Sequence, residues 1–147
     1  TRPQAKAFFT ICGERYTVLL SGGSAAVKDG RTGERLARFK GFNYLYTGDI
    51  KPDETEFFAL ENGKHFYVFS LKNFTQRLRV TLPRRYEAID VCGRYSEDGK
   101  ILYVPAYKYD NGYTYVLFRY ETDAYSLVSM EQMSDAEWDK EWGWQTI

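Results

Sequence analysis

Apolar and polar residues alternate along much of this chain, in short runs separated by polar turns. The clearest run covers residues 76–82, in which Leu78, Val80 and Leu82 alternate with polar residues. A period of two places successive side chains on opposite faces of the backbone and is typical of a half-buried β-strand. The pattern therefore predicts a chain built from many short strands.

Turns rich in glycine lie between these runs. Gly22-Gly23, Asn62-Gly63 and residues 110–112 (Asp-Asn-Gly) each separate two apolar runs. Glycine and asparagine reach backbone angles that tight turns require, and Asn-Gly is favoured in two-residue hairpins. These turns predict antiparallel hairpins. In the run after the turn at residues 29–33, we expect Leu36 to point inward.

A weak internal repeat gives the chain its expected organisation. Residues 51–60 are echoed by residues 95–104, each a polar turn that leads into an apolar strand, with Asp53 and Asp98 45 residues apart. A period of this size indicates a four-stranded unit used more than once, and such units stack to bury surface. We predict one β-rich domain over residues 1–147, with units at about residues 15–39, 53–82 and 97–128. We expect the carboxylates among them that fall in turns to be turn formers: Asp53, Glu54, Glu56, Glu97 and Asp98.

The end of the chain predicts a different element. Ser134 and Glu137 form a capping box, in which two side chains satisfy free backbone amides at a helix start. Gly143 is a typical helix stop. We therefore expect a short C-terminal helix over residues 134–142.

One family resemblance supports the repeated units. Residues 19–24 (Leu-Leu-Ser-Gly-Gly-Ser), 27–29 (Val-Lys-Asp) and 31–36 (Arg-Thr-Gly-Glu-Arg-Leu) are similar to a blade of a WD-repeat-like β-propeller, and residues 96–100 resemble the turn that opens the second strand of many blades. The resemblance implies about three four-stranded antiparallel blades, a partial propeller, whose open edges favour self-association. The alternative is that the strands curl into one sandwich or barrel.

Composition agrees with an all-β chain and limits the partners. Of 147 residues, 18% are aromatic, and 20 Lys and Arg balance 20 Asp and Glu, which gives a formal net charge of zero. Tyr and Phe favour strands, and a neutral chain lacks the field that attracts nucleic acid or anionic lipid. No apolar run is long enough to cross a membrane, and no signal peptide is visible. We expect no nucleic-acid or membrane partner and a cytoplasmic location, with Cys12 and Cys92 as buried free thiols.

Catalytic and metal chemistry finds little support in the sequence. His65 is the single histidine, and no spacing of His, Cys and carboxylates typical of a metal site is present. No Gly-x-Ser-x-Gly accompanies it. We expect His65 to be structural and the protein to need no metal or cofactor.

Three groups of residues are candidates for binding. The first group is Tyr107, Tyr109, Tyr113 and Tyr115, which flank the turn at residues 110–112; the second is Arg84 and Arg85; the third is Trp138, Trp142 and Trp144 in an acidic tail. Tyrosine offers contact area and a hydroxyl, and guanidinium groups bind carboxylates in pairs. Three indoles are too much apolar area to leave in water.

These residues favour a non-catalytic interaction module. The expected partner is another protein or a second copy of the chain, most simply as a homodimer. The alternative is a carbohydrate-binding protein or a carbohydrate-active hydrolase that uses paired carboxylates. The fold alone does not decide between them, because function depends on the site.

Overall fold

The computed structural model describes residues 9–89 and 93–141, except the side chains of Trp138 and Glu141. Within these residues the chain forms three antiparallel sheets and one short C-terminal helix. The predicted all-β architecture, with three units of about four strands followed by a helix, is confirmed. The described strands do not close into a barrel.

The strands follow one another in sequence order within each sheet. The first sheet contains β1 (Phe9–Cys12), β2 (Tyr16–Ser21), β3 (Ser24–Asp29) and β4 (Arg35–Lys40). The second contains β5 (Leu45–Ile50), β6 (Glu56–Glu61), β7 (His65–Ser70) and β8 (Thr75–Thr81). The third contains β9 (Glu87–Ala88), β10 (Arg94–Tyr95), β11 (Ile101–Tyr109), β12 (Tyr113–Glu121) and β13 (Leu127–Met133), and helix α1 (Asp135–Glu141) follows it.

The first strand of the third sheet is divided into two pieces around a proline. β10 pairs with Leu102 and Tyr103 of β11, and β9 pairs with Ala106 and Tyr107. Pro105 lies between these two pairings. Because proline has no backbone N–H, it cannot donate to the ladder. The carbonyl of Pro105 instead accepts a 3.0 Å hydrogen bond from the Ile89 N–H.

The three sheets pack face to face, with the second sheet in the middle. One core joins the first and second sheets and includes Val18, Val27 and Phe57. The other joins the second and third sheets and includes Phe58 and Phe118. Strand β6 is buried along its whole length because it contributes to both cores. The outer faces of the first and third sheets are therefore the two ends of this stack.

The hairpin turns lie where the sequence predicts them, with one difference in length. Asn62 and Gly63 have φ angles of 56° and 71°, in the left-handed region that Asn and Gly tolerate best. Glu61 pairs with His65, so the loop has three residues rather than two. The second hairpin also has three loop residues, because Tyr109 pairs with Tyr113.

The internal repeat corresponds to equivalent turns of successive sheets. In the turn before β6, the Asp53 carboxylate accepts hydrogen bonds from the Thr55 N–H and hydroxyl, at 3.0 and 2.6 Å. In the turn before β11, the Asp98 carboxylate accepts from the Lys100 N–H and the Ser96 hydroxyl, at 3.0 and 2.7 Å. Both aspartates are turn formers, as expected, because their side chains bond to the backbone two residues on. Glu56 was expected to be a turn former as well, but it is a buried residue of β6.

Two details of the strand predictions are wrong. Leu36 is exposed and Ala37 packs inward, because Ala37 lies opposite the inward-facing Val27 and neighbouring residues of a strand point to opposite faces. The last strand runs over Leu127–Met133, beyond the predicted end of the third unit.

The helix starts as the capping box predicts. The Ser134 hydroxyl accepts a 3.1 Å hydrogen bond from the Glu137 N–H, and the Glu137 carboxylate accepts from that hydroxyl at 3.1 Å. The predicted end at Trp142 lies outside the described residues.

Candidate functional site

The four candidate tyrosines share the outer face of the third sheet. Tyr107 lies opposite Tyr115, and Tyr109 lies opposite Tyr113, in the register of β11 and β12. Residues two apart on a strand share a face, so both pairs lie on the same side of the sheet. We call Tyr107, Tyr109, Tyr113 and Tyr115 the tyrosine face.

The rings of the tyrosine face contact one another. The Tyr113 ring lies 5.0 Å from that of Tyr109 and 5.7 Å from that of Tyr107 in tilted or edge-to-face contacts, and 6.2 Å from that of Tyr115 in a stacked one. Such arrangements are the favoured geometries of aromatic pairs. Tyr109 and Tyr113 are nevertheless 69% and 61% exposed. The cross-strand contacts hold these two rings in place while leaving most of their surface in water.

A groove borders the tyrosine face and gathers charged residues of both signs. It has a volume of about 540 Å³ and is lined by Arg85, Glu87, Tyr107, Lys108, Tyr109, Asp110 and Tyr113. The Tyr107 hydroxyl donates a 3.0 Å hydrogen bond to Glu87. Arg85 reaches this groove from a left-handed backbone conformation, with a φ of 77°. Arg84 is exposed but does not line the groove.

The opposite end of the stack carries a basic groove that the sequence analysis missed. Its volume is about 810 Å³, and four of its lining residues are cationic: Lys28, Arg35, Arg38 and Lys40. No carboxylate is among the lining residues that the structure describes. We call these four residues the basic face. They lie on two strands and are interrupted by apolar residues, so no basic run marks them in the sequence.

Glu56 holds the second and third sheets together in a buried polar network. Its carboxylate accepts hydrogen bonds from the Tyr125 hydroxyl at 2.6 Å and from Arg77 Nη1 at 3.1 and 3.2 Å. Lys51 Nζ lies 3.7 Å from the same carboxylate. The Tyr95 hydroxyl lies 2.9 Å from that of Tyr125. Burial, the largest cause, raises the pKa values of both tyrosines.

Two more carboxylates bind backbone amides of a neighbouring sheet. Glu54 accepts hydrogen bonds from the N–H groups of Glu14, Arg15 and Tyr16 in the first sheet, at 2.9 to 3.1 Å. Asp49 accepts a 2.9 Å hydrogen bond from the Tyr95 N–H in the third. Burial raises the pKa of Asp49, although this hydrogen bond opposes the shift.

His65 is part of a hydrogen-bonded cluster at the β6–β7 hairpin. Its Nε2 contacts Glu61 Oε1, which also accepts a 2.9 Å hydrogen bond from the Tyr67 hydroxyl. The Asn43 N–H donates to the other Glu61 oxygen at 2.5 Å. Burial raises the pKa of Glu61, but the hydrogen bonds from His65, Asn43 and Tyr67 outweigh it, and the net pKa is lowered. The cluster ties the hairpin to the loop before β5.

The structure describes only some of the remaining candidate residues. Trp138 lies in α1, and Trp142, Trp144 and Cys92 are outside the described residues. Cys12 is exposed, contrary to the expectation of a buried thiol, because it follows the inward-facing Ile11 on β1 and therefore points to the opposite face.

Over residues 9–89 and 93–141, no group of three or more His, Cys, Asp or Glu residues is arranged to hold a metal ion. The same part of the chain contains no helix with the length and apolarity to cross a membrane.

Comparison with known proteins identifies a structural neighbour but no sequence family. The sequence matches no model of a known protein family. It also matches no curated protein. Among solved structures, the chain is similar to a chain of hydrazine synthase from Kuenenia stuttgartiensis, with a TM-score of 0.67 at 12% sequence identity over 86% of this chain. The chain spans 37% of that neighbour's length, and at this identity the likeness concerns the fold alone.

Proposed function

We propose that the three sheets are successive blades of a WD-repeat-like β-propeller. The face-to-face order of the sheets and the equivalent turns at Asp53 and Asp98 support this proposal. So does Asp29, whose carboxylate accepts hydrogen bonds from the Arg31 and Thr32 N–H groups in the Thr-Gly turn of the first sheet. An aspartate-stabilised turn thus recurs in each sheet, before the second strand of the second and third sheets and before β4 in the first.

We further propose that the chain is a non-catalytic binding module that contacts protein, including a second copy of itself, through the tyrosine face. One observation carries the proposal: Tyr109 and Tyr113 are held in fixed ring contacts and yet are 69% and 61% exposed. Preorganised tyrosines lose little side-chain entropy on binding, which makes them effective at protein interfaces.

The carboxylates of the interior support a binding role over catalysis. Glu54, Glu56 and Glu61 each accept at least three hydrogen bonds that join different parts of the fold. A general acid or base must exchange protons with a substrate in an open cleft. Carboxylates committed to holding elements together are poorly placed for that task.

Light scattering over a range of concentrations tests the proposal. The double substitution Tyr109→Ser/Tyr113→Ser is expected to weaken self-association while the thermal melting point changes little, because both side chains are largely exposed. Val128→Ser is the matched control, since Val128 is 58% exposed and lies away from the tyrosine face on β13. A wild-type chain that stays monomeric at every concentration, or a double variant that associates like wild type, contradicts the proposal.

The tail residues and Arg84 remain predicted contributors to binding. Replacing Trp138 and Trp142 by Ala is expected to alter association more than folding. Circular dichroism together with the solution mass separates the two effects. A variant that unfolds would assign the tail to the core.

Carbohydrate binding is the second candidate, favoured by the composition of the groove beside the tyrosine face. Glu87 and Asp110 lie there beside exposed rings, and sugars stack on aromatic rings while carboxylates accept their hydroxyl hydrogen bonds. Screening against a panel of oligosaccharides tests it. Binding that Tyr109→Ser abolishes would favour this candidate, and hydrolysis of a bound sugar that Asp110→Asn stops would favour an enzyme.

A further inference from the structure

We infer that the tyrosine face of one copy binds the basic face of a second copy, so that copies associate head to tail. The inference rests on the proposed function, since it names the surface that the tyrosine face recognises. It follows from where the two faces lie, from their charge and from the chemistry of their side chains.

The two faces are the opposite ends of one stack of sheets. The second sheet is covered by a sheet on each side, and the two cores it joins bury Phe57 and Phe58 completely. The first and third sheets have such a neighbour on one face only among the residues that the structure describes. A second copy placed against an end face extends the same packing, because the contact is again sheet on sheet.

The basic face concentrates charge that the described chain does not neutralise. Lys28 lies directly opposite Arg35 in the register of β3 and β4, a like-charged cross-strand pair. Arg38 and Lys40 follow on β4 and share the same groove. None of the four side chains takes part in an ion pair or hydrogen bond with the residues at 9–89 and 93–141. Like charges directly opposite destabilise a sheet, so a partner that screens them gains energy.

The opposite charge lies at the other end of the stack. Helix α1 follows β13 and carries Asp135, Glu137 and Asp139, all of them exposed, against Lys140. On the outer face of the third sheet, Arg119 is already paired with Glu131 at 2.9 Å. Residues 9–40, which include the first sheet, contain six Lys and Arg against three Asp and Glu, whereas residues 93–141 contain five against ten. Complementary ends of this kind steer copies into a head-to-tail encounter.

The rings of the tyrosine face also offer cationic side chains a direct cation–π contact. The chain already places guanidinium groups against tyrosine rings: Arg119 lies 5.8 Å from the centre of the Tyr103 ring on the outer face of the third sheet. Such cation–π contacts gain strength when the pair leaves water. Small side chains at Ser21, Ser24 and Ala26 line the basic groove between the cations. They leave room for a ring to enter.

The interface is heterologous, and this property makes it testable. Each copy presents two different faces, so one damaged face can be combined with its intact counterpart on another molecule. Arg38→Glu/Lys40→Glu reverses charge on exposed β4 residues and leaves the tyrosine face intact. Tyr109→Ser/Tyr113→Ser removes the two exposed rings and leaves the basic face intact. Lys72→Glu/Arg79→Glu, at exposed positions of the second sheet, is the matched charge control.

Light scattering of the variants, alone and mixed, tests the head-to-tail inference. Each double variant alone is expected to associate about 100-fold more weakly than wild type, since like charges or lost rings face the partner. A one-to-one mixture of the two is expected to form a heterodimer through its one intact interface. The control variant is expected to associate like wild type, and Arg38→Gln/Lys40→Gln replaces the charge reversal if that variant does not fold.

Other outcomes contradict the head-to-tail inference, the proposed role of the tyrosine face, or both. A charge variant that associates like wild type, while the tyrosine variant does not, overturns the head-to-tail inference and leaves the tyrosine face as a self-contact. The same conclusion follows if the mixture gives no heterodimer. A tyrosine variant that associates like wild type overturns both the inference and the proposed role of the tyrosine face.

Discussion

The Tyr125 hydroxyl donates a 2.6 Å hydrogen bond to the Glu56 carboxylate across the interface of the second and third sheets, between residues 69 positions apart in sequence. Since Tyr125 has one hydroxyl hydrogen and gives it to Glu56, the Tyr95 hydroxyl at 2.9 Å must be the donor to Tyr125. A directed chain of hydrogen bonds thus runs from Tyr95 to Glu56 within the larger core.

Tyr125→Phe is expected to destabilise the fold by about 3 kcal/mol, because it removes a hydrogen bond to a buried carboxylate and leaves the Tyr95 hydroxyl without its acceptor. Urea unfolding measures the change. A loss well below 1 kcal/mol would show that this network contributes little to the interface.

Tyr120→Phe serves as the contrast. The Tyr120 hydroxyl is buried and has no hydrogen-bond partner among the described residues. Removing it is expected to leave the free energy of unfolding unchanged or to raise it, since a desolvated hydroxyl without a partner costs energy. Equal losses in the two variants would mean that ring packing, and not the hydroxyl, sets the effect of Tyr125→Phe.

Stability is expected to fall as the pH rises above 10. Burial raises the pKa values of Tyr95, Tyr120 and Tyr125 above the usual value of 10.0. In the unfolded chain these phenols ionise near pH 10, whereas in the folded chain they stay protonated, so the stabilisation is complete below pH 10 and is lost above it. Urea unfolding in buffers on both sides of pH 10 measures the loss. A stability that stays flat across this range contradicts the prediction.

Glu54→Gln is expected to loosen the turn between β1 and β2. The Glu54 carboxylate accepts three backbone hydrogen bonds from residues 14–16, and an amide offers a single oxygen for them. We expect a loss of about 1–2 kcal/mol and faster hydrogen exchange at those three amides. Glu97→Gln, at an exposed turn position of the third sheet, is the control. Unchanged exchange at residues 14–16 would mean that the turn holds its own shape.

Local chemistry made the turns of this fold predictable. Asp53 and Asp98 bond to atoms within two residues of themselves, so the sequence near each one contains the whole interaction. The alternation of Tyr107 and Tyr109 likewise places them on one face whatever lies elsewhere in the chain. Glu54 and Glu56 have hydrogen-bond partners 21 to 69 residues away, and nothing near them in the sequence distinguishes an inter-sheet contact from a solvated charge.

The basic face escaped prediction for a related reason. Period-two reading assigns faces correctly only while the register is regular, and the irregularity between Val27 and Lys28 reverses it. With Leu36 placed inward, alternation also places Arg38 and Lys40 inward, although both line the outer groove. The four cations then had no common face in the sequence, although the folded sheet brings them into one groove.

Arg77 and Arg79 are two residues apart on β8 and look equivalent in the sequence, but their side chains have different partners. Arg77 donates to Glu56 and to the backbone oxygens of Thr122 and Asp123, whereas the Arg79 guanidinium makes no hydrogen bond within the described residues. Arg77→Lys is expected to cost about 1–2 kcal/mol, since an ammonium cannot reproduce the planar fork of hydrogen bonds. Arg79→Lys is expected to change the free energy of unfolding by less than about 0.5 kcal/mol. Urea unfolding of both variants compares them directly, and equal effects would show that Arg77 does not link the second sheet to the third.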